Sequence, residues 1–244
     1  MVDGPSDNKF VFLQKPRTPD PNHLPGPMTS PCLSSFSDFV ACLERMDFTA
    51  LPGMEGQLLM APQARLSDIK SRGEGRNAVP SGVLLLFFPL DGGQTGTVFI
   101  QRTQYNGPHS GQISFPGGRR EAADPDLGFT ALRETREEIG VDPADVRLVG
   151  KLTDLYIPPS NFIVSPYLGV CDRRPDFCPD PVEVAGVVEV ELRSFFLPEN
   201  RRKKLIALSG GHQLETPCFI INGHMIWGAT AMIVSEFLTA MDTL

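Results

Sequence analysis

The chain has 244 residues, a formal net charge of −7, 41% apolar residues and 21% charged ones. That length suits one large domain with extensions, and the composition is that of an ordinary globular protein. The acidic balance argues against a general nucleic-acid binder, which needs a basic surface, yet leaves room for a local basic pocket around a phosphate-rich ligand.

The first ten residues, MVDGPSDNKF, lack a basic-then-apolar leader pattern. No apolar run reaches membrane-spanning length, and the last residues, Met241-Asp242-Thr243-Leu244, are not a peroxisomal tripeptide. Five cysteines (Cys32, Cys42, Cys171, Cys178 and Cys218) form an odd, scattered set without metal-ligand spacing. Such a set is expected as reduced thiols, with the cytoplasm as compartment.

In chain order, residues up to about Pro31 are rich in proline, asparagine and aspartate and predict a surface-hugging or unstructured arm. Phe36, Phe39, Val40, Leu43 and Met46 recur at helical spacing, with Ser35 or Ser37 as N-cap. Leu51 to Arg76 reads as irregular, and its Leu58-Leu59-Met60-Ala61-Pro62 run as a linker that covers core surface. Val83 to Phe88 predicts a strand buried on both faces, turned by Asp91-Gly92-Gly93 into a second strand over Thr97 to Arg102. Gln112 to Phe115 predicts a third, leading into a glycine turn and then a helix from Asp126 to Ile139. Asp124 is its expected cap, and Gly140 its stop.

Further strands are expected over Val146–Leu152, Phe162–Val170, Val182–Val190, Lys203–Leu208 and Pro217–Ile221, with a short helical piece near Leu192 to Phe196. Asn222-Gly223 signals a hairpin whose return is His224 to Trp227, and Ala229 to Met241 closes the chain as an amphipathic helix. A mixed sheet with a helix on each side is an α/β sandwich.

The chemistry concentrates in that Asp126–Ile139 helix. Glu137 and Glu138 lie three and four positions beyond Glu134, so all three carboxylates share one side of it. Like charges at that spacing repel, and a divalent cation would remove the conflict. A solvated acidic face is the plainer reading of the same spacing. The flanks favour the first: Phe115-Pro116-Gly117-Gly118 precedes the helix and Arg133-Glu134 opens the acidic run.

The segment from Gly118 through Glu121 to Arg133-Glu134-Thr135-Arg136-Glu137-Glu138-Ile139-Gly140 resembles the signature of the Nudix hydrolases, a glycine, a spacer with an acidic residue, then R-E-x-x-E-E-x-G. The spacer from Gly118 to Arg133 is one residue longer than the common form, as it is in the coenzyme A pyrophosphatase branch. Arg102, His109, Ser110, Gly111 and Gln112 match the segment that marks that branch, but Asn106-Gly107 stands where it often has leucine-arginine. Pro159-Ser160-Asn161-Phe162 and Trp227-Gly228-Ala229-Thr230 resemble its PSGF and WG-x-T segments.

The resemblance implies a Nudix-type α/β/α sandwich with a mixed sheet. Domain organisation is then a proline-rich arm at 1–34, an accessory helix and linker at 35–77, and the hydrolase domain at 78–244. The resemblance also implies Mg²⁺, or Mn²⁺, on Glu134, Glu137, Glu138 and a backbone carbonyl of Gly117 or Gly118, with Gly118 preferred. Arg133 would orient a carboxylate, and Glu134 or Glu137 would act as general base.

Arg102, His109, Gln112 and Arg119 are the expected substrate contacts, with Arg120 and Arg65 as further candidates for a missing arginine. Glu183, Glu189, Glu191 and Glu236 are candidate contributors from outside the signature, with a solvated surface charge as the preferred reading of each. His23, His212 and His224 are read as surface or turn residues. The implied reaction is hydrolysis of coenzyme A or acyl-CoA to 3′,5′-ADP and 4′-phosphopantetheine or its acyl form. ADP-ribose, NADH or dinucleoside polyphosphates are the alternative substrates, and a non-catalytic nucleotide-sensing module is the alternative class. Expected partners are a small nucleoside diphosphate derivative and a second copy of the chain as a homodimer, with no nucleic acid and no membrane.

Overall fold

The computed structural model describes residues 22, 24–25, 31–66, 77–104, 109–207 and 213–244. Two short helices come first, α1 (Phe36–Leu43) and α2 (Gly53–Leu58). Strands β1 (Val79–Pro89), β2 (Thr95–Arg102), β3 (Ile113–Ser114) and β4 (Gly117–Arg119) lead into α3 (Leu127–Ile139). Then follow β5 (Arg147–Lys151), β6 (Leu155–Ile157), β7 (Phe162–Val170) and β8 (Val184–Glu191). The chain ends with β9 (Arg201–Ala207), β10 (Gln213–Ile221), β11 (His224–Trp227) and α4 (Gly228–Met241).

Eight strands make one sheet, ordered β3-β2-β1-β7-β5, with β4 also on β1, β6 on β7 and β8 on β2. The β1–β7 pairing is parallel and the others antiparallel, so the sheet is mixed. The period-two alternation of a strand sends Leu85 and Phe87 to one face of β1 and Leu84, Leu86 and Phe88 to the other. The first pair joins a core with Phe39, Leu43, Ile233 and Phe237 from α1 and α4. The second set packs on Ala131 and Ile139 of α3. Each such side chain contributes roughly 1.5–3 kcal/mol when fully buried. The α/β/α sandwich with a mixed sheet is what the patterning predicted.

Several local expectations change. Gly53 to Leu58 is helical, where an irregular linker was expected; a six-residue helix is too short to show a period. Met60 and Ala61 are fully buried and do cover the core. Gly117–Arg119 is a strand and not a turn, since it pairs with Ser81–Val83 of β1. Leu155–Ile157 is an additional strand against β7. Strands β9 to β11 form a separate three-stranded sheet.

Cys32 and Cys42 are joined in a disulfide, which overturns the expectation of five free thiols. Cys32, in a short 3₁₀ turn, and Cys42, on α1, are both buried. Sequence spacing alone did not show that packing brings them together. The cytoplasmic placement drawn from unpaired thiols loses that basis. No helix among the described residues is long and apolar enough to cross a membrane. Most of the N-terminal arm, His23, His212, Asn106-Gly107 and the Arg65 side chain lie outside the described residues.

Candidate active site

Helix α3 is fixed before its charges are considered. Asp126 caps it, accepting the Phe129 N–H at 2.8 Å, and Gly140 ends it in the left-handed region at φ 77°. Asp124 is therefore not the cap that its position suggested. Against β1 the helix lies so close that a Cβ on Gly82 would stand 2.2 Å from the Leu127 carbonyl oxygen. Its carboxylates are thus carried on a body that cannot slide.

Those carboxylates do not converge as expected. The Glu138 side chain is 2% exposed and that of Glu134 16%, and both line one cavity. Glu137 is 58% exposed and is not part of that lining, because Arg133 Nη1 holds its Oε2 at 2.8 Å. Among the described residues no three His, Cys, Asp or Glu side chains already meet as a metal-holding group.

Glu138 is nevertheless poorly compensated: its Oε2 accepts the Gly117 N–H at 2.8 Å, and its Oε1 is 3.7 Å from Arg102 Nη1. Burial pushes its carboxyl up from 4.5 to about 8, and the charges of Glu134 and Glu183 add to that. Burial also raises Glu134, against the opposing pull of Arg133. Gly118 presses on the same place, since a Cβ there would lie 2.4 Å from the Glu134 carboxylate carbon. Carboxylate and carbonyl oxygens around an uncompensated buried acid are a donor set that fits a hard divalent cation.

Arg133 is anchored by Asp124, a buried carboxylate that its place in the sequence had suggested as a cap. The guanidinium donates to Asp124 Oδ1 at 3.1 Å and Oδ2 at 3.0 Å, and to the Arg119 carbonyl at 3.1 Å. Its Nη1 faces both Glu134, at 3.0 Å, and Glu137. Asp124 also accepts the Thr130 hydroxyl at 2.8 Å and the Glu121 N–H at 2.9 Å. Arg133 holds the Asp124 carboxyl far below the usual range, and Asp124 in turn raises Arg133. A planar guanidinium so fastened fixes the orientation of the two glutamates it touches.

The cavity holds about 390 Å³ and brings together all four expected substrate contacts, Arg102, His109, Gln112 and Arg119. His109 sits at φ 66°, its Nδ1 3.2 Å from Gln112 Oε1, and burial lowers its basicity. Arg102 Nε and Ser114 Oγ both belong to residues of this cavity and are buried without a hydrogen-bond partner. Unsatisfied polar atoms cost roughly 1–3 kcal/mol each, a debt that a polar ligand would relieve. Arg120 is not a cavity residue; it turns to the Asp124 and Pro125 carbonyls.

The far wall is apolar and aromatic: Ile157, Phe162, Val164, Trp227, Ala229 and Ile233. Asn161, where the resembling PSGF segment has glycine, adopts φ 55°, a conformation asparagine tolerates. Ser160 and Phe162 beside it both line the cavity.

Two glutamates read as surface charges are placed otherwise. Glu183 lines the cavity opposite Glu134 and Glu138; the Asp180 N–H bonded to the Glu138 carbonyl at 3.0 Å fixes its loop. Glu236 is fully buried under α2. The helical period of α4, apolar on nearly every side, was the available signal for Glu236. Glu189, read as a solvated charge, is paired with Arg174 at 2.6 Å.

An acidic helix, a glycine strand against it and a basic rim over a half-apolar cavity together form a site suited to an anionic ligand. The NUDIX domain matches residues 81–205, and the chain belongs to the Nudix family. Among its relatives, Nudix hydrolase 22, chloroplastic, of Arabidopsis thaliana is 33% identical over 66% of this chain and 55% of that one. Nudix hydrolase 15, mitochondrial, of the same plant is 35% identical over 63% and 55%. The human mitochondrial coenzyme A diphosphatase NUDT8 is 32% identical over 57% and 58%. The chain therefore matches little more than half the length of these relatives. A crystal structure of a Nudix hydrolase from M. smegmatis, RenU, is similar over 68% of this chain and 88% of that one, with 13% identity and a TM-score of 0.46.

Proposed function

We propose that the chain is a metal-dependent pyrophosphohydrolase that cleaves the diphosphate of coenzyme A or an acyl-CoA into 3′,5′-ADP and 4′-phosphopantetheine or its acyl form. The observation that carries this reading is the buried, poorly compensated Glu138 beside Glu134, with Arg102 3.7 Å away, in a cavity that also has an apolar wall. The name of the NUDT8 relative supports the substrate.

Glu134, Glu138 and the Gly118 carbonyl are the oxygens at the cavity that would hold Mg²⁺ or Mn²⁺, and Glu137, now on Arg133, would have to turn inward to join them. When bound, the ion supplies neutralisation of the phosphate oxygens and a water of lowered pKa. Arg133, fastened to Asp124, holds Glu134 and Glu137 in orientation. Arg102 and Arg119 bind the diphosphate oxygens, and the His109–Gln112 pair donates to the neighbouring part of the substrate.

Water attacks one phosphorus, the anhydride P–O bond breaks, and the departing phosphate leaves with the bond's electron pair. The proton of the attacking water passes to a glutamate of the acidic helix. Glu134 is the better placed of the two candidates, because Glu137 lies outside the cavity lining. The apolar wall of Phe162, Trp227 and Ile233 accommodates the uncharged half of the substrate.

The test is purified protein with Mg²⁺ or Mn²⁺ and a panel of coenzyme A, acyl-CoAs, ADP-ribose, NADH and diadenosine polyphosphates, with products separated by chromatography. Release of 3′,5′-ADP from coenzyme A or its acyl forms at the highest kcat/KM is the expected result. Preference for ADP-ribose or a dinucleotide would overturn the substrate, and binding without turnover would make the protein a nucleotide sensor.

A further inference from the structure

Glu236 lies in α4, outside the residues matched by the NUDIX domain, and is 0% exposed. A carboxylate there is costly unless donors saturate it. Its donors are all neutral. Gln57 Nε2 reaches Oε2 at 2.8 Å and the Thr153 N–H reaches Oε1 at 3.0 Å. The Gly53 N–H and the Thr153 side chain add to these.

Gln57, itself 1% exposed, also donates to the Thr153 carbonyl at 2.9 Å. Beside it, the Ser235 hydroxyl donates to the Gly56 carbonyl at 2.6 Å. Gly56 approaches so closely that a Cβ there would lie 3.0 Å from Glu236 Cα. Helix α2, the link between β5 and β6, and α4 thus meet on one side chain.

Of these, α4 also builds the far wall of the substrate cavity, beside β6, which follows the link. Ala229, Thr230 and Ile233 come from α4, Trp227 immediately precedes it, and Ile157 ends β6. The start of α4 is held separately, by the Thr230 hydroxyl on the Ile113 carbonyl at 3.1 Å. With one end fastened to β3, the bonds at Glu236 act with the apolar packing of Phe237, Leu238 and Met241 to place the body of α4. Since α-helices behave as rigid rods over a few turns, a shift at Glu236 turns α4 about the Thr230 anchor, moving Ile233 on one side of it and Trp227 on the other.

We propose that Glu236 is a positioning residue for substrate: it locks α2 and Thr153 onto α4, fixes the wall of Trp227, Ile233 and Ile157, and so sets how tightly the uncharged half of the substrate is held. The kinetic part of this inference rests on the hydrolase reading above. Glu236 touches neither the diphosphate nor the box carboxylates, so its loss acts on binding and leaves the chemical step intact.

The variant to make is E236Q. The amide keeps the shape, yet whichever way it is placed its NH₂ opposes a donor of Gln57 or Thr153. The expected result is a rise of fivefold or more in KM with kcat within twofold of wild type. Trp227 is the chain's single tryptophan, so its emission and acrylamide quenching report the same wall directly and should shift in E236Q.

Thr216→Val, at a fully buried position of β10, serves as a control for general loosening, and should leave KM and Trp227 emission unchanged. Should E236Q not fold, Ser235→Ala removes the hydroxyl that bonds the Gly56 and Gln57 carbonyls of α2, along with its bond to Met232 within α4, and should move both readouts the same way by less. Wild-type KM and emission in E236Q, a fall in kcat alone, or an equal KM change in Thr216→Val would overturn the proposal. If the wild type hydrolyses no diphosphate, the hydrolase reading fails, and the Trp227 shift alone still decides the positioning role.

Discussion

Replacing Glu138 by glutamine tests the site through stability as well as turnover. In the metal-free fold its carboxyl is raised from 4.5 to about 8 by burial. A carboxyl raised in the folded state adds stability that is fully present below the unfolded value and is lost as pH rises through the folded one. Stability from this group is therefore present below about pH 4.5 and gone above about pH 8. At roughly 1.4 kcal/mol per pH unit the interval is worth on the order of 5 kcal/mol, a ceiling that local relaxation lowers.

Glu134 and Glu236 are raised as well and act in the same direction, whereas His109, whose basicity is lowered, acts in the opposite one. Only the difference between wild type and E138Q isolates Glu138. Urea unfolding of chelator-treated protein between pH 5 and 8.5, followed by Trp227 emission, gives that difference. Wild type should lose several kcal/mol more than E138Q over this range. At pH 8, millimolar Mg²⁺ should restore the wild type and do little for E138Q, whose turnover should be lower by orders of magnitude. Equal pH slopes in the two proteins, or wild-type turnover in E138Q, would refute an uncompensated carboxylate as the seat of the cation.

Asp124→Asn removes the anion that fastens Arg133 and should cost about 3 kcal/mol by chemical denaturation, as for a broken buried ion pair. Turnover should fall with it, because Glu134 and Glu137 lose their fixed guanidinium; unchanged kinetics would show that Arg133 is held without Asp124. Gly118→Ala places a methyl 2.4 Å from the Glu134 carboxylate carbon and should lower kcat at least a hundredfold while the unfolding midpoint moves far less. Reduction of Cys32–Cys42, or Cys42→Ser, opens a loop with a sequence separation of 10 and should cost about 3 kcal/mol, measured as a lower melting temperature.

Much of the fold was legible because its signals are local. The continuous apolar run of β1, the Asn222-Gly223 hairpin and the Gly140 stop each follow from a few adjacent residues. The acidic pair of the candidate site was legible for the same reason, since Glu134 and Glu138 are brought together by one turn of one helix. What could not be read depends on contacts between distant segments. Glycines read as a turn at Gly117-Gly118 because nothing local shows that β1 pairs with them. Asp124 looked like a cap until Arg133, nine residues on, claimed it. Glu236 looked like a surface charge because its partners, Gln57 and Thr153, lie 179 and 83 residues away. The Cys32–Cys42 disulfide was hidden by an odd count that suggested no pairing.

That division between local and distant contacts has a functional counterpart. The carboxylates, the Gly117 N–H and Arg133 occupy one short stretch and one rigid helix, so the geometry of the reacting diphosphate is set within it. The far wall is assembled from β6, β7, β11 and α4, and α4 is bonded to α2 from the other end of the chain. A substitution at Phe162, Ile233 or Trp227 changes the shape offered to the uncharged half of the substrate without altering a box carboxylate. Substrate choice is therefore free to vary on a fixed reaction, and the discriminating side chains to exchange between Nudix proteins of different specificity are those of this wall. Transplanting acidic-helix residues should alter rate alone, while transplanting wall residues together with the Gln57–Glu236 lock should alter which diphosphate is preferred.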